Sequence, residues 1–193
     1  LSALNHQGSK IADFQPGLDI HDSVRDVEFN GSTSASLVFK YNPEGGCLRL
    51  LTDTDGLAPD LSEGERSLLP ISNPEQIIDT GAEDHTLPSD VFRMELPRTW
   101  CYYFEKADLA RQQGNWQQIR NLWETAQAAG FRPNNGMEYL PFIEAAAHQG
   151  NWDVAEQMTI GEAKRITASI EPLMCDRWQN LVESVPATDD GLA

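Results

Sequence analysis

Gln113-Gly114-Asn115-Trp116 recurs as Gln149-Gly150-Asn151-Trp152, 36 residues later. A duplicated segment of this kind constrains a chain more than composition does. It marks two copies of one local structure that must stack to bury what neither can bury alone. Further positions agree at the same offset. Tyr103 matches Tyr139, Ala110 matches Ala146, and Ala107 matches Ile143 in kind. Before each duplicated segment the apolar residues fall three or four apart: Trp100, Tyr103, Ala107 and Ala110, then Tyr139, Ile143 and Ala146. After it come Trp116, Ile119, Trp123 and Ala126 in the first copy, and Trp152 and Ala155 in the second. This is the period of a helix with one buried face.

The unit therefore reads as a helix, a tight turn and a second helix. Gly114 and Gly150 supply the left-handed backbone that ends the first helix. Ala110 and Ala146 let the two helices approach. Trp116 and Trp152 are expected to cover the apolar end of each pair and to pack on its first helix. Gly130 and Pro133 end the second helix of the first unit. In the second unit that helix is expected to run toward Ile170 with Gly161 as a weak point. Pro172 opens a last helix through Trp178 and Leu181.

These residues resemble the tetratricopeptide repeat family. Its glycine, then Asp or Asn, then an aromatic, matches Gly114-Asn115-Trp116 and Gly150-Asn151-Trp152. Its small residue ten positions after the aromatic matches Ala126. The second unit has Glu162 there, and the first has Ile119 where alanine is usual. The resemblance implies stacked helix pairs that bind a protein partner.

Upstream the pattern changes. Val27 and Phe29 share a face, Asn30-Gly31 reads as a turn, and Ser36–Tyr41 is a β-branched and aromatic run ended by Asn42-Pro43. Gly45-Gly46 reads as a second turn before Cys47–Leu51. Three short strands with tight turns predict an antiparallel meander. The fold class expected is α+β, a small antiparallel β-meander followed by an α-α tetratricopeptide-like array. The divisions are 1–24 as a poorly ordered lead-in, 25–96 as a β-rich region with an acidic connector, 97–184 as the helical repeat, and 185–193 as a disordered tail. Within the connector, Ser72-Asn73-Pro74-Glu75 predicts a short helix ending at Gly81.

Chemistry is sparse. The net charge of −16 repels phosphate backbones and excludes nucleic acid as a natural partner. No apolar run approaches the ~20 residues of a membrane helix. Asp53-Thr54-Asp55-Gly56 suggests calcium, but Leu51 and Ser62 would then fill ligand positions, so an acidic solvated loop is the reading. The four histidines have no metal-ligand spacing, and His148 is expected to be a cation at a helix C-terminus. Cys47, Cys101 and Cys175 contain no CxxC pair. One disulfide is compatible with them, its pairing open, and Cys101 and Cys175 are expected to be buried. Glu105, Asp108 and Arg111 have helical spacing and read as an intrahelical ion pair. No metal, cofactor or catalytic residue is assigned.

The cluster Trp100, Tyr102, Tyr103 and Phe104 cannot all face one side of a helix. Tyr103 belongs to the repeat core, so Tyr102 or Phe104 points elsewhere; one is expected to pack on the β-meander and join the halves, whereas an exposed aromatic there would make a ligand or sugar platform. Trp100, Tyr102 and Phe104 are therefore the candidate binding residues. Gly114, Trp116, Gly150, Trp152, Tyr103, Tyr139, Ala110 and Ala146 are the structural repeat residues.

A second resemblance covers the whole chain. Val27-Glu28-Phe29-Asn30-Gly31-Ser32-Thr33, Ser36-Leu37-Val38, Asn42-Pro43, Cys47-Leu48-Arg49, Trp100–Asp108 and Leu140-Pro141-Phe142-Ile143-Glu144 look like runs in bacterial multi-pass membrane proteins. Those are similar to lipid-linked-sugar glycosyltransferases with a soluble C-terminal domain, and Leu1–Asn5 fits the junction into that domain. The resemblance implies an extracytoplasmic location, a tether to the membrane through a longer parent, and no catalytic residue in this part. The function expected is a non-catalytic protein-interaction module. The alternative is an accessory domain of such a transferase that positions acceptor or glycan.

Overall fold

The computed structural model describes residues 15–41, 46–77 and 98–185. The chain is α+β, with two small antiparallel sheets followed by a helical region.

Strand β1 (Asp19–Val24) pairs with β2 (Val27–Ser32), and β3 (Val38–Lys40) pairs with β4 (Arg49–Leu51). This replaces the expected meander with two separate two-stranded sheets. The first strand begins inside the segment read as a lead-in, whose residues 1–14 lie outside the described part. Asn30-Gly31 lies within β2, opposite His21 and Ile20. The turn is instead at Arg25-Asp26, where Arg25 has φ 58°. The expected turn at Gly45-Gly46 falls partly outside the described residues.

The segment after β4 is packed rather than solvated. A 3-10 turn (Asp53–Asp55), helix α1 (Glu63–Arg66) and further 3-10 turns (Leu69–Ile71 and Pro74–Gln76) lead along the helices. Asn73 caps the last of these, and it stops at Gln76, one turn long. Its expected end at Gly81, like residues 78–97 as a whole, lies outside the description. Leu51, Ala58, Leu61 and Leu69 share one core with Ile143, Ala155, Leu173 and Leu181. The 46–77 strap and the helices thus fold as one body. Lys40 on β3 pairs with Glu65 on α1 at 2.7 Å. Burial alone would raise the Glu65 pKa. Lys40 and the Ser62 backbone and hydroxyl donors outweigh it and hold the carboxyl at about 2.

The helical region contains α2 (Trp100–Gln112), α3 (Trp116–Ala128), α4 (Leu140–His148), α5 (Trp152–Glu156) and α6 (Glu171–Ser184). The turn between α2 and α3 is a Schellman motif. Gly114 (φ 67°) donates to Arg111 O at 3.0 Å, and Asn115 donates to Ala110 O at 2.8 Å. The turn between α4 and α5 repeats it. Gly150 (φ 76°) donates to Ala147 O and Asn151 to Ala146 O, each at 2.9 Å. Asn115 also caps α3 by accepting from Gln118 N. Trp100, Tyr103, Ala107 and Ala110 are buried, as are Tyr139, Ile143 and Ala146.

The helix after Asn151 does not stay regular. Past α5 it continues as a π-helix (Gln157–Ala163), with Gly161 inside it, and a final α-turn (Lys164–Ile166). Opposite, Gly136 sits so close that a Cβ there would lie 2.5 Å from Ala163 O. The last helix spans Glu171–Ser184, as Pro172 predicts. Residues 186–193, which hold nearly all of the expected tail, lie outside the description.

Cys47 and Cys101 form a disulfide across 54 residues of sequence, tying the strap to the first turn of α2. Cys175 is free and exposed, contrary to the expectation that it is buried. It falls on the outer side of α6, away from Leu173, Met174, Arg177 and Leu181.

Candidate functional site

The candidate binding residues part company in the structure. Trp100 and Phe104 are buried. Trp100 donates its indole N–H to Glu138 at 2.6 Å, and Glu138 also accepts from Cys47 N and Asn134 N. Phe104 shares a core with Cys47 and lines a small cavity together with Arg49 and Leu50 of β4. Tyr102 is half-exposed. Its ring lies 5.0 Å from the Arg98 guanidinium and 5.5 Å from the Lys106 ammonium. The structure therefore does not bring Trp100, Tyr102 and Phe104 together on one surface.

Trp116 and Trp152 are half-buried, and both reach beyond their own helix pair. Trp116 stacks on His148 of α4, with ring centroids 3.9 Å apart and planes 7° from parallel. Trp152 packs on Trp178 of α6 at 5.8 Å. His148 stands in the last turn of α4, as expected, but its surroundings disfavour the cationic form. Burial lowers its pKa below the ordinary value, and the attraction of Glu144 only partly opposes this.

Asp108 and Arg111 form the expected ion pair at 2.8 Å, but Glu105 is not in it. Burial raises the Glu105 pKa, and a backbone hydrogen bond from Leu48 works against that. The Asp108–Arg111 pair belongs to a larger buried network. Arg111 reaches Glu144 at 3.5 Å. Arg177 of α6 lies 3.9 Å from Glu144 and 3.5 Å from Asp55. It also donates to Thr54 O and Thr54 Oγ1 at 3.0 and 2.8 Å. Asp55 is thus a buried acceptor rather than part of a solvated loop. Buried charges are tolerable only when paired and hydrogen-bonded, and here the pairs join the strap to α2, α4 and α6. Among the described residues, no group of three or more His, Cys, Asp or Glu could hold a metal ion.

The open site is a groove between α3 and α5, floored by α4. Its first lobe, about 260 Å³, is lined by Ile119, Trp123, Phe142, Ala145, Ala146, Val154 and Met158. Arg120, Glu124, Gln149 and Asn151 form its rim. The small Ala145 and Ala146 leave the space. The second lobe, about 250 Å³, shares Trp123, Val154 and Met158, and adds Gln127, Arg132, Tyr139, Gln157 and Glu162. Val154 is 43% exposed on the shared wall. Trp123 is fixed by Trp100 (6.1 Å, edge to face), Phe142 (4.6 Å) and Tyr139 (5.9 Å). The Tyr139 pKa is raised, first by burial and then by Glu162, while Arg132 and Arg165 pull it back. Tyr139 lines the second lobe together with Arg132 and Glu162.

Sequence reasoning found Trp123 and Tyr139 but assigned them to the core, and it passed over Arg132, Gln157 and Val154. The available signal was the outward position of Val154 and Met158, four residues apart, facing a floor of adjacent alanines. Comparison with family models, with curated proteins and with solved structures finds no match to this chain.

Proposed function

We propose that this chain is a non-catalytic protein-interaction module, and that the groove between α3 and α5 receives an extended segment of a protein partner. The observation that carries this reading is the groove itself. It has an apolar floor, an exposed Val154 on its wall and a rim that carries the side-chain amides of Gln149 and Asn151 beside the Arg120–Glu124 pair, in a region braced by a disulfide and a buried ion network. Side-chain amides offer a donor and an acceptor together, which is what a peptide backbone requires. Rigid support keeps such a groove open before binding and lowers the cost of association.

The two helix pairs, with their matching Schellman turns 36 residues apart, support reading them as tetratricopeptide-like units. The Cys47–Cys101 disulfide supports an oxidising, extracytoplasmic setting. It agrees with the resemblance to soluble parts of larger membrane-anchored proteins. A glycan is the weaker ligand. Sugars stack on open aromatic faces, whereas Tyr102 is overlain by Arg98 and Lys106, and three aromatic rings pack around Trp123.

The test is a binding screen of the whole chain against a display library of unstructured peptides and, in parallel, against a glycan array. Peptide binding that Val154→Trp abolishes supports the reading. Glycan binding with no peptide binding would transfer the site to the accessory-domain alternative.

A further inference from the structure

The two lobes of the groove differ in chemistry. The first is apolar. The second is polar: Gln127, Arg132, Tyr139 and Gln157 line it together with one carboxylate, Glu162. Tyr139 is 4% exposed and lines the lobe, yet its hydroxyl has no hydrogen-bond partner among the described residues. That hydroxyl opens onto the lobe rather than being enclosed, so it is free to donate to a ligand there. The side chains of Gln127 and Gln157 on the same wall are likewise free of partners among the described residues. The other charges around the groove are matched: Arg120 with Glu124 at 2.9 Å, and Glu162 with Arg165 at 3.4 Å. Arg132 is not. It bonds only to the main-chain oxygen of Phe131 and has no carboxylate partner among the described residues. A phenol, two amides and an unpaired guanidinium facing one cavity are the donor set for a carboxylate.

From this we propose that the partner segment is an extended strand carrying a bulky apolar side chain and, two residues away, an Asp or Glu. The apolar side chain fills the first lobe, and the carboxylate accepts from Tyr139 Oη and Arg132 in the second. In an extended chain, residues i and i+2 point to the same side about 7 Å apart. Two adjoining lobes that share the wall of Trp123, Val154 and Met158 can take two such side chains from one strand. The opposed charges explain why a protein of net charge −16 accepts an acidic residue here: among the described residues of the groove wall, Arg120 is paired and Arg132 has no counter-ion. This inference rests on the groove being a peptide site.

The experiment uses the whole chain and a positional-scanning library of N-acetylated, C-amidated nonapeptides, read by fluorescence anisotropy. The expected result is selection of an apolar residue with Asp or Glu two positions away. Replacing that acid by its amide should weaken binding about tenfold. Arg132→Glu should reverse the preference at that position from acidic to basic while leaving the apolar preference intact. Tyr139→Phe should weaken acidic peptides more than their amide counterparts. An apolar preference with no acidic preference, unchanged in Arg132→Glu, would overturn this inference and leave the groove a peptide site. Binding confined to peptides with a free C-terminal carboxylate would also overturn it. So would displacement of the peptides by a simple carboxylate such as acetate at low concentration. No binding of any capped peptide would instead remove the peptide reading itself.

Discussion

Trp116 lies flat on His148, ring on ring, at a centroid distance of 3.9 Å. Gln149 adds a second link by donating to Trp116 O at 3.1 Å. The tryptophan that follows the first turn therefore belongs as much to the contact between helix pairs as to its own pair. Because Trp116 is only half-buried, Trp116→Ala should cost about 1–2 kcal/mol in urea unfolding rather than the ~3–5 of a fully buried aromatic. A loss of the larger size would mean that the tryptophan is a core residue after all.

The same stack makes stability depend on pH. Burial holds the folded-state pKa of His148 below the ordinary 6.5. Above pH 6.5 both folded and unfolded chains keep the imidazole neutral, and the contribution is fully present. As pH falls through 6.5 the unfolded chain takes up a proton that the folded chain resists, so stability declines until the folded pKa is reached. Trp116→Ala admits water to the ring and should shrink this decline. NMR titration of His148 gives the direct check: its pKa should rise toward 6.5 in the variant, and an unchanged value would refute the coupling.

Arg177 joins α6 to the strap through Thr54 and Asp55, and to α4 through Glu144. Arg177→Met leaves the buried Asp55 without its ion-pair partner, while Glu144 keeps Arg111, and should destabilise by about 3 kcal/mol. In a double-mutant cycle, Asp55→Asn should cost less once Arg177 is gone, because the acceptor has already lost its donor. Additive losses would show that the two residues act independently.

How much of this was legible in the sequence follows from the range of each interaction. The helix pairs are local. Their glycines, stripes and caps lie within about twenty residues of one another, and the pattern located both turns correctly. The strap is not local. Asp55 meets Arg177 across 122 residues, so composition could present Asp53–Asp55 only as an acidic loop. The first hairpin misled for a different reason. Its turn places Arg25 in the left-handed region without a glycine or asparagine to signal it, while Asn30-Gly31, a strong turn signal, is spent inside β2. The groove was the least legible feature, because it is defined by where side chains are missing.

The Cys47–Cys101 bond closes a loop of 54 residues that includes the whole strap. Chain-entropy arithmetic for a loop of that length gives about 4 kcal/mol of stabilisation through the unfolded state. Cys47→Ser with Cys101→Ser should lower stability by up to that amount, and a dithiol reductant should produce the same loss in the native sequence. The urea midpoint with and without reductant measures it. Equal midpoints would mean that the bond does not form in solution.

Gly136 tests whether the π-helix is held from outside. Its N–H donates to Thr167 Oγ1 at 3.0 Å, and its Cα side faces Ala163 O so closely that an alanine would place Cβ 2.5 Å from that oxygen and 2.9 Å from Thr167 Cβ. Backbone is the obstacle, so the strain cannot be relieved by turning a side chain. Gly136→Ala should cost about 1–3 kcal/mol, the usual range for overpacking. It should push residues 157–163 away from Tyr139 and change the second lobe of the groove. Hydrogen exchange should then accelerate in 157–163 and leave α2 and α3 protected. Uniform acceleration across the helices would mean that Gly136 supports the whole fold, whereas no change would mean that the contact relaxes without consequence.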